Sequence, residues 1–435
     1  MVQLLNILLY VIYVGLFLRL IFRWKFFNIP DVKKTHLAFF FLLKVVAGLG
    51  LTLIYTYYYT DQSKADIYRY FSDSKIISSV LFTNPIAWLK IMSGIGTFEP
   101  GTFKYLNDTW HFTHPAADFI TSNSFLIRII VLLNYLSCYN IYIDALLLNC
   151  ITFIALVQLY KALLPYYIEF PQILYWPLFL MPSFVFWSSG LLKEGLIFIG
   201  ISLYLSTWFN ISNKPAWKSV ALLLAGLMVV MLTKIYVAGT LIICSLFLPL
   251  KFTMDYRLVW LIRISFWVVV AVGTWYALHH GFCERVIDKR NEFVALSIAQ
   301  NSGSLIDGSL KQADCGTLVS LVPVAMVNAV LRPFLWQPGN LFEMLFAVEN
   351  LLFLLAIIAL LVFYFKKPQN QKLLLALFCF FFALLNYLGI GITVPIVGAI
   401  VHYRVVAAPF LLLSVLLITD LEKLKQLLQK ATLFN

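Results

Sequence analysis

The stretch that decides the fold is ILYWPLFLMPSFVFWSSGLLKEGLIFIGISLYL, residues 173–205. Apolar tracts lie on both sides of its ten central residues, FWSSGLLKEG at 186–195. Such tracts recur along the whole chain, and 62% of its 435 residues are hydrophobic while 12% are charged. Soluble domains are about half apolar and about a quarter charged. The sequence therefore predicts an all-α, polytopic helical membrane protein.

The apolar tracts give a set of predicted membrane spans, because about 20 apolar residues cross the hydrocarbon core as a helix. These spans are 3–22, 37–58, 172–187, 191–209, 217–234, 237–250, 258–279, 344–365, 371–389 and 396–419, with one or two more within 124–160. We expect about 11 transmembrane helices in total. They form a single integral-membrane domain over 1–435, with two longer polar loops at 60–123 and 280–343.

The distribution of basic residues predicts the orientation of the chain. Lysine and arginine collect in the cytoplasmic turns of membrane proteins. We therefore attribute the net charge of +12 to such turns, and we expect no nucleic-acid binding. The predicted cytoplasmic segments are the basic turns at 23–36, 251–257 and 366–372 and the tail at 422–430. Both long loops are then extracytoplasmic.

An odd number of crossings must separate the outer loop at 60–123 from the inner turn at 251–257. Six apolar segments lie between them, so one segment does not span. The best candidate is 124–139, which is short and contains Arg128 and Asn134. This choice places FWSSGLLKEG at the extracytoplasmic face of the membrane. If 237–250 is the segment that does not span, the motif faces the cytoplasm instead.

Within FWSSGLLKEG, helix-breaking residues and charged residues lie together. Pro182 and Gly190 weaken helix continuity, and Ser188 or Ser189 can cap a new helix that begins near Gly190. Lys193 then lies in the first turn of that helix, where free backbone N–H groups attract phosphate. Glu194 points in another direction and needs its own partner. Charged residues so close to the hydrocarbon core indicate a functional site. The alternative is a tight polar hairpin whose charged side chains reach water.

The first outer loop opens with three carboxylates, Asp61, Asp66 and Asp73. Seven residues separate Asp66 from Asp73, which places them on one helix face, two turns apart. Such carboxylates can act as general bases or bind a divalent cation. The alternative is a solvated helix start in which Arg69 and Lys75 are their partners.

Two further sets of residues carry potential metal ligands or cysteines that can pair. His111, His114 and Asp118 do not have a zinc-binding spacing, so we interpret their segment as amphipathic and interfacial, and we assign no metal ligand or cofactor. The aspartates can also bind a divalent cation, and the sequence does not decide between this and a role as general bases. Cys283 and Cys315 share the second polar loop, and they can pair if that loop is extracytoplasmic.

Further basic residues are predicted at the same membrane face as Lys193. They are Lys234, Arg332, His402 and Arg404. Arg404 lies inside an apolar run, and Glu349 or Glu343 is its candidate partner. Arginine and lysine suit the oxygens of a lipid-linked phosphate or pyrophosphate. We therefore assign Lys193, Glu194 and these residues to substrate binding, and Asp66, Asp61 and Asp73 to catalysis.

A membrane helix followed by an acidic outer loop, as at Asp66 and less closely at Asp61 and Asp73, resembles the GT-C superfamily of membrane glycosyltransferases. The segments PSFVFWSSGLLKEG at 182–195 and GAIVHYRVVAAPF at 398–410 are similar to those of bacterial envelope proteins placed near polysaccharide polymerases. The acidic loop here follows the second span, and it lacks the compact DxD motif.

The resemblance implies an enzyme of the bacterial inner membrane that takes a sugar from a polyprenyl-(pyro)phosphate carrier in envelope glycan synthesis. The lipid bilayer and the carrier are its partners. A transporter or flippase for a lipid-linked or anionic substrate is the alternative, and a non-catalytic membrane partner is the third reading.

Overall fold

The computed structural model of the protein describes residues 2–57, 65–112, 122–210, 217–248, 264, 268, 271–273, 275, 276, 279–299, 304–306, 308–310, 314–337 and 339–433. In these residues every regular element is a helix, and strand pairing is limited to isolated bridges. The prediction of an all-α chain is confirmed for this part of the sequence. The chain divides into two compact units.

Unit 1 comprises Met1–Ala162, Phe184–Trp208 and Lys218–Ile235. Its helices, some of which continue a few residues past these limits, are α1 (Val2–Arg23), α2 (Lys34–Tyr57), α3 (Asp66–Thr83), α4 (Pro85–Ser93), α5 (Pro100–Phe103), α6 (Ser122–Ser137), α7 (Ile141–Leu163), α8 (Pro182–Trp187), α9 (Lys193–Asn210) and α10 (Trp217–Thr233).

Unit 2 comprises Leu163–Ser183, Phe209–Trp217 and Tyr236–Asn435. Its helices are α11 (Ile235–Cys244), α12 (Phe282–Ala299), α13 (Cys315–Leu331), α14 (Leu341–Phe363), α15 (Asn370–Thr393), α16 (Val397–Tyr403), α17 (Ala408–Leu417) and α18 (Leu421–Leu433). Pro171–Leu174 is a 3₁₀ helix and Trp176–Leu180 a π-helix, and both precede α8.

Five helices of the described chain are long and apolar enough to cross a membrane. They are Leu4–Arg23, Lys34–Tyr57, Ile141–Tyr166, Leu341–Phe363 and Asn370–Thr393. A sixth span results if Val397–Val406 and Ala408–Leu417, which meet at a 48° bend, are counted together. The protein is thus a helical multi-pass membrane protein, while the count of about 11 spans stays a prediction.

Two segments differ in their helices from the sequence predictions. The span predicted over 172–187 is a series of short 3₁₀, π and α segments, because proline at 171, 177 and 182 removes backbone donors. The polar loop predicted over 280–343 contains the apolar helix α13, which has 17 residues. Most of the predicted span over 258–279 lies outside the described residues.

The described part of the first polar loop, residues 65–112, contains the helices α3, α4 and α5 of unit 1. Apolar residues of α3, among them Ile67 and Ile77, share a buried cluster with Leu126 and Ile130 of α6. The two polar residues that mark α6 find partners in α3 and α4. Arg128 donates to Ile91 O at 2.8 Å and Asn134 donates to Ser74 Oγ and Ser78 Oγ, both at 3.0 Å. Arg128 and Asn134 are the polar residues from which the sequence predicted a segment that does not span. In the structure they bind α4 and α3, respectively.

Candidate functional site

The motif FWSSGLLKEG forms a break between two helices. The helix α8 ends at Trp187, residues 188–192 are not helical, and α9 begins at Lys193. Lys193 is thus in the first turn of the new helix, as predicted. The predicted capping by Ser188 or Ser189 is wrong, because the helix begins at Lys193 and not near Gly190. The hydroxyls of Ser188 and Ser189 accept hydrogen bonds from a lysine.

That lysine is Lys44, which is fully buried in α2. Its Nζ donates to Ser188 Oγ at 2.8 Å, to Ser189 Oγ at 3.0 Å and to Ser188 O at 3.3 Å. One turn further along α2, Gly48 lets the break approach, since a Cβ there would lie 2.5 Å from Ser189 O. Among the described residues its acceptors are hydroxyl and carbonyl oxygens, so a buried ammonium here is costly, and such residues in membrane segments mark functional sites by default.

The two charges that follow the break have separate partners, as their positions on a helix require. Glu194 accepts a hydrogen bond from Lys234 at 2.8 Å, and the two side chains are 1% and 9% exposed. Lys193 donates to Ser122 Oγ at 2.9 Å. Its Nζ also lies 5.9 Å from the ring centre of Tyr70 in α3. Lys193 therefore lies beside α3, the helix that carries Asp66 and Asp73.

Asp73 is fully buried, and both of its carboxylate oxygens are in use. Trp110 N donates to Oδ1 at 2.8 Å, and His111 N donates to Oδ2 at 3.0 Å. The ring nitrogen Nδ1 of His111 lies 2.9 Å from the same Oδ2. The imidazole ring is also 5.1 Å from the ring of Tyr70. The carboxylate of Asp73 thus holds His111 in place and does not face solvent itself.

Asp66 and Asp73 lie on the same helix, yet they differ in exposure. Asp66 is the first residue of α3 and is exposed, so its carboxylate is open to solvent. Asp61 lies outside the described residues, as do His114 and Asp118. Within the part of the chain that the structure describes, no group of three or more His, Cys, Asp or Glu side chains could hold a metal ion.

Unit 2 brings together two of the predicted cations. Arg404 is buried and donates from Nη1 to the backbone oxygen of Arg332 at 2.6 Å. Glu349 interacts electrostatically with Arg404 and accepts from Ser183 N at 2.8 Å. Of the two predicted acidic partners, Glu349 is therefore the one that interacts with Arg404. The Nε of Arg332 donates to Asn328 Oδ1 at 2.9 Å.

The remaining predicted residue and the two cysteines also belong to unit 2. His402 is half-buried in α16, and its ring lies 5.2 Å from that of Tyr403. Cys283 and Cys315 form a disulfide, with their Cα atoms 5.2 Å apart. The sequence allowed this pair if the loop is extracytoplasmic; the pair is present, and the location of the loop stays a prediction.

Lys44 and the pairing of His111 with Asp73 were not predicted. A signal for Lys44 was present, since it is the single charged residue between 37 and 57. No local signal marks the pairing of His111 with Asp73, because the two residues are 38 positions apart in the sequence. Comparison of the chain with family models, curated proteins and solved structures found no match.

Proposed function

We propose that the protein is an integral-membrane glycosyltransferase or polysaccharide polymerase. It transfers a sugar from a polyprenyl-(pyro)phosphate carrier to an acceptor at the extracytoplasmic face of a bacterial inner membrane, in envelope glycan synthesis. The observation that carries the proposal is the charge around the helix break in unit 1. Three lysines, Lys44, Lys193 and Lys234, surround it with one carboxylate, Glu194. The excess of positive charge suits a phosphate diester or pyrophosphate.

Of the three lysines, Lys193 is the best placed to contact the carrier phosphate. Lys44 is fully buried, and Lys234 is in an ion pair whose carboxylate is 1% exposed. Lys193 is half-buried in the first turn of α9, where the backbone N–H groups and the positive end of the helix dipole also favour an anion. The adjacent α3 presents the exposed carboxylate of Asp66.

The disulfide supports the orientation on which the proposal depends. Disulfides persist in oxidising compartments, so the bond between Cys283 and Cys315 favours an extracytoplasmic location for the loop at 280–343. For the break itself, Ser189 is unsuitable for cysteine labelling because it is fully buried. Ser72 of α3 is exposed and serves instead. Labelling of Ser72→Cys by an impermeant thiol reagent from the outside is expected, and labelling from the cytoplasm alone would contradict the proposal.

Transfer itself is tested with purified protein in proteoliposomes that contain a polyprenyl pyrophosphate-linked, fluorescent oligosaccharide and an acceptor glycan. Wild type should lengthen the glycan. Lys193→Met should lower kcat/KM by about 10- to 100-fold, because a hydrogen bond to a charged group contributes about 1.5–3 kcal/mol. Lys75→Met is the matched control, since Lys75 is an exposed lysine of the neighbouring helix α3. No transfer by wild type, or equal rates for Lys193→Met and Lys75→Met, would contradict the proposal.

A transporter or flippase is the second candidate, and one observation favours it. Helices interrupted within apolar tracts form the substrate sites of many secondary transporters. The chain has such interruptions at 188–192 in unit 1 and at the 48° bend before Ala408 in unit 2. If this candidate holds, the proteoliposomes will move the lipid-linked oligosaccharide between leaflets and leave its chain length unchanged.

A further inference from the structure

We infer that His111 is the general base of the proposed sugar transfer, and that Asp73 is the residue that positions it. The inference rests on the function proposed above and adds a residue that was not predicted as catalytic. It assigns the proton transfer to an imidazole, whereas the sequence pattern assigned it to an aspartate.

The first observation is the orientation of the imidazole. A nitrogen that lies 2.9 Å from a buried carboxylate carries the proton, so Nδ1–H of His111 donates to Asp73 Oδ2. The lone pair of the neutral ring is then on Nε2. In the described part of the chain, Nε2 makes no hydrogen bond, and the side chain of His111 is 15% exposed. The ring is thus fixed at one nitrogen and open at the other, as in a carboxylate-oriented base.

The second observation is that Asp73 cannot easily turn away from His111. Its two oxygens also accept from the backbone N–H groups of Trp110 and His111, at 2.8 and 3.0 Å. These bonds anchor residues 110 and 111 to α3. They fix the position of the carboxylate and keep its Oδ2 beside Nδ1 of the imidazole.

The third observation is the position of Lys193. Tyr70 contacts both the imidazole of His111, at 5.1 Å between ring centres, and Nζ of Lys193, at 5.9 Å from its ring centre. The proposed phosphate contact and the proposed base therefore share one neighbouring side chain. Two further cations of the described chain lie near this segment: Arg69, 4.9 Å from the Trp110 ring, and Arg128, 5.9 Å from the Phe112 ring.

The chemical step balances with these groups alone. The proton of the acceptor hydroxyl moves to Nε2 of His111, and the oxygen forms a bond to the anomeric carbon. The bond between that carbon and the phosphate oxygen of the carrier breaks, and its electron pair leaves with the polyprenyl (pyro)phosphate. Lys193 stabilises the negative charge that develops there. His111 then releases the proton to solvent.

The activity test compares kcat and its pH dependence in proteoliposomes. General base catalysis contributes about 100- to 10,000-fold, so His111→Gln should lower kcat by about 100-fold or more and leave KM little changed. The fall of the wild-type rate at acidic pH should disappear, and added imidazole should restore part of the rate to His111→Gly. His36→Gln is the control, because His36 is an exposed histidine of α2.

Asp73→Asn should also lower kcat, while Asp73→Glu restores part of it. A wild-type rate and pH profile in His111→Gln would overturn the inference. So would a larger loss of kcat in Asp66→Asn than in His111→Gln, since proton transfer would then belong to Asp66. The proposed function fails differently, through the absence of transfer by wild type.

A second measurement needs no transfer activity. Diethyl pyrocarbonate acylates accessible imidazoles, and peptide mass spectrometry identifies which histidine has reacted. We expect His111 of the wild-type protein to be acylated, and polyprenyl pyrophosphate to slow its acylation without slowing that of His36. An unreactive His111 beside a reacting His36, or acylation that the polyprenyl pyrophosphate does not slow, would overturn the inference.

Discussion

Two lysine–glutamate pairs of nearly equal length lie in different surroundings. In unit 1, Lys234 and Glu194 are 2.8 Å apart, and their side chains are 9% and 1% exposed. In unit 2, Lys372 and Glu169 are 2.6 Å apart, and their side chains are 23% and 37% exposed. The two distances alone predict ion pairs of similar strength. The exposures of the side chains predict that the pairs differ. Both charges of the first pair are removed from water, whereas those of the second keep part of their hydration.

The difference teaches that burial decides how such a pair responds to mutation. A buried pair contributes little net stability, since desolvation offsets the attraction, yet removal of one partner leaves an uncompensated charge. A partly exposed pair loses little, because water and salt replace the missing partner. The buried pair next to Lys193 therefore holds the first turn of α9 in one arrangement, and the exposed pair has no comparable effect on its own surroundings.

The largest effect is expected for Glu194→Gln. It leaves the ammonium of Lys234 buried without its carboxylate, and we expect a loss of about 3 kcal/mol in the free energy of unfolding. The measurement is denaturant-induced unfolding of the purified protein in mild detergent. Glu169→Gln is the matched control, with the same change of side chain in the exposed pair.

A double variant sharpens this prediction. Glu194→Gln with Lys234→Met removes both charges, and it should recover more than half of the stability that Glu194→Gln loses. If the double variant is as unstable as the sum of the two single variants, the two residues are not coupled. The interpretation of the pair as the main partner of both charges would then be wrong.

Lys44→Met is expected to have an intermediate effect. It removes a buried ammonium whose acceptors are the neutral groups of Ser188 and Ser189. The loss of these hydrogen bonds is partly offset because no charge is then buried, so we expect a loss of about 1–2 kcal/mol. The same unfolding measurement decides the order. A loss larger than that of Glu194→Gln would mean that Lys44 has a carboxylate partner.

The helices of the fold were largely predictable, and the contacts of the site were not. Long apolar tracts predicted α1, α2, α7, α14 and α15. Such predictions succeed because the length and hydropathy of a tract can be read from the local sequence. The short segments before α8 were missed as separate elements, since three prolines divide a tract whose hydropathy alone is that of a span. The helix α13 was missed because it lies inside a stretch that is polar at both ends.

The site residues show the same limit. Lys193, Glu194 and Asp73 stood out as charges beside apolar sequence, but their partners lie far along the chain. Ser122, Lys234 and His111 are 71, 40 and 38 residues away. Sequence spacing fixes which residues share a helix face, and it does not fix which helices pack together. The choice between Asp66 and Asp73 needed the exposure of each carboxylate, which only the packing of α3 determines.

The smallest effect is expected at Glu169, and it depends on pH. Burial raises the pKa of Glu169, but the hydrogen bond from Lys372, a bond from its own backbone N–H and the nearby lysine charges outweigh this, so its pKa is lowered. A carboxyl whose pKa is lower in the folded state contributes stability above the unfolded pKa of about 4.3 and loses it as pH falls through the folded pKa. Because Glu169 is 37% exposed, solvent screens the pair.

Glu169→Gln should therefore lower the free energy of unfolding by no more than about 0.5 kcal/mol at neutral pH. The difference from wild type should shrink as pH falls through the folded pKa, because the wild-type carboxyl is then protonated as well. At neutral pH it should also disappear in about 1 M salt, where the screening length is about 3 Å. A loss equal to that of Glu194→Gln, or one that salt leaves unchanged, would show that this pair is as well shielded from water as the pair in unit 1. The contrast between the two pairs would then have no basis in burial.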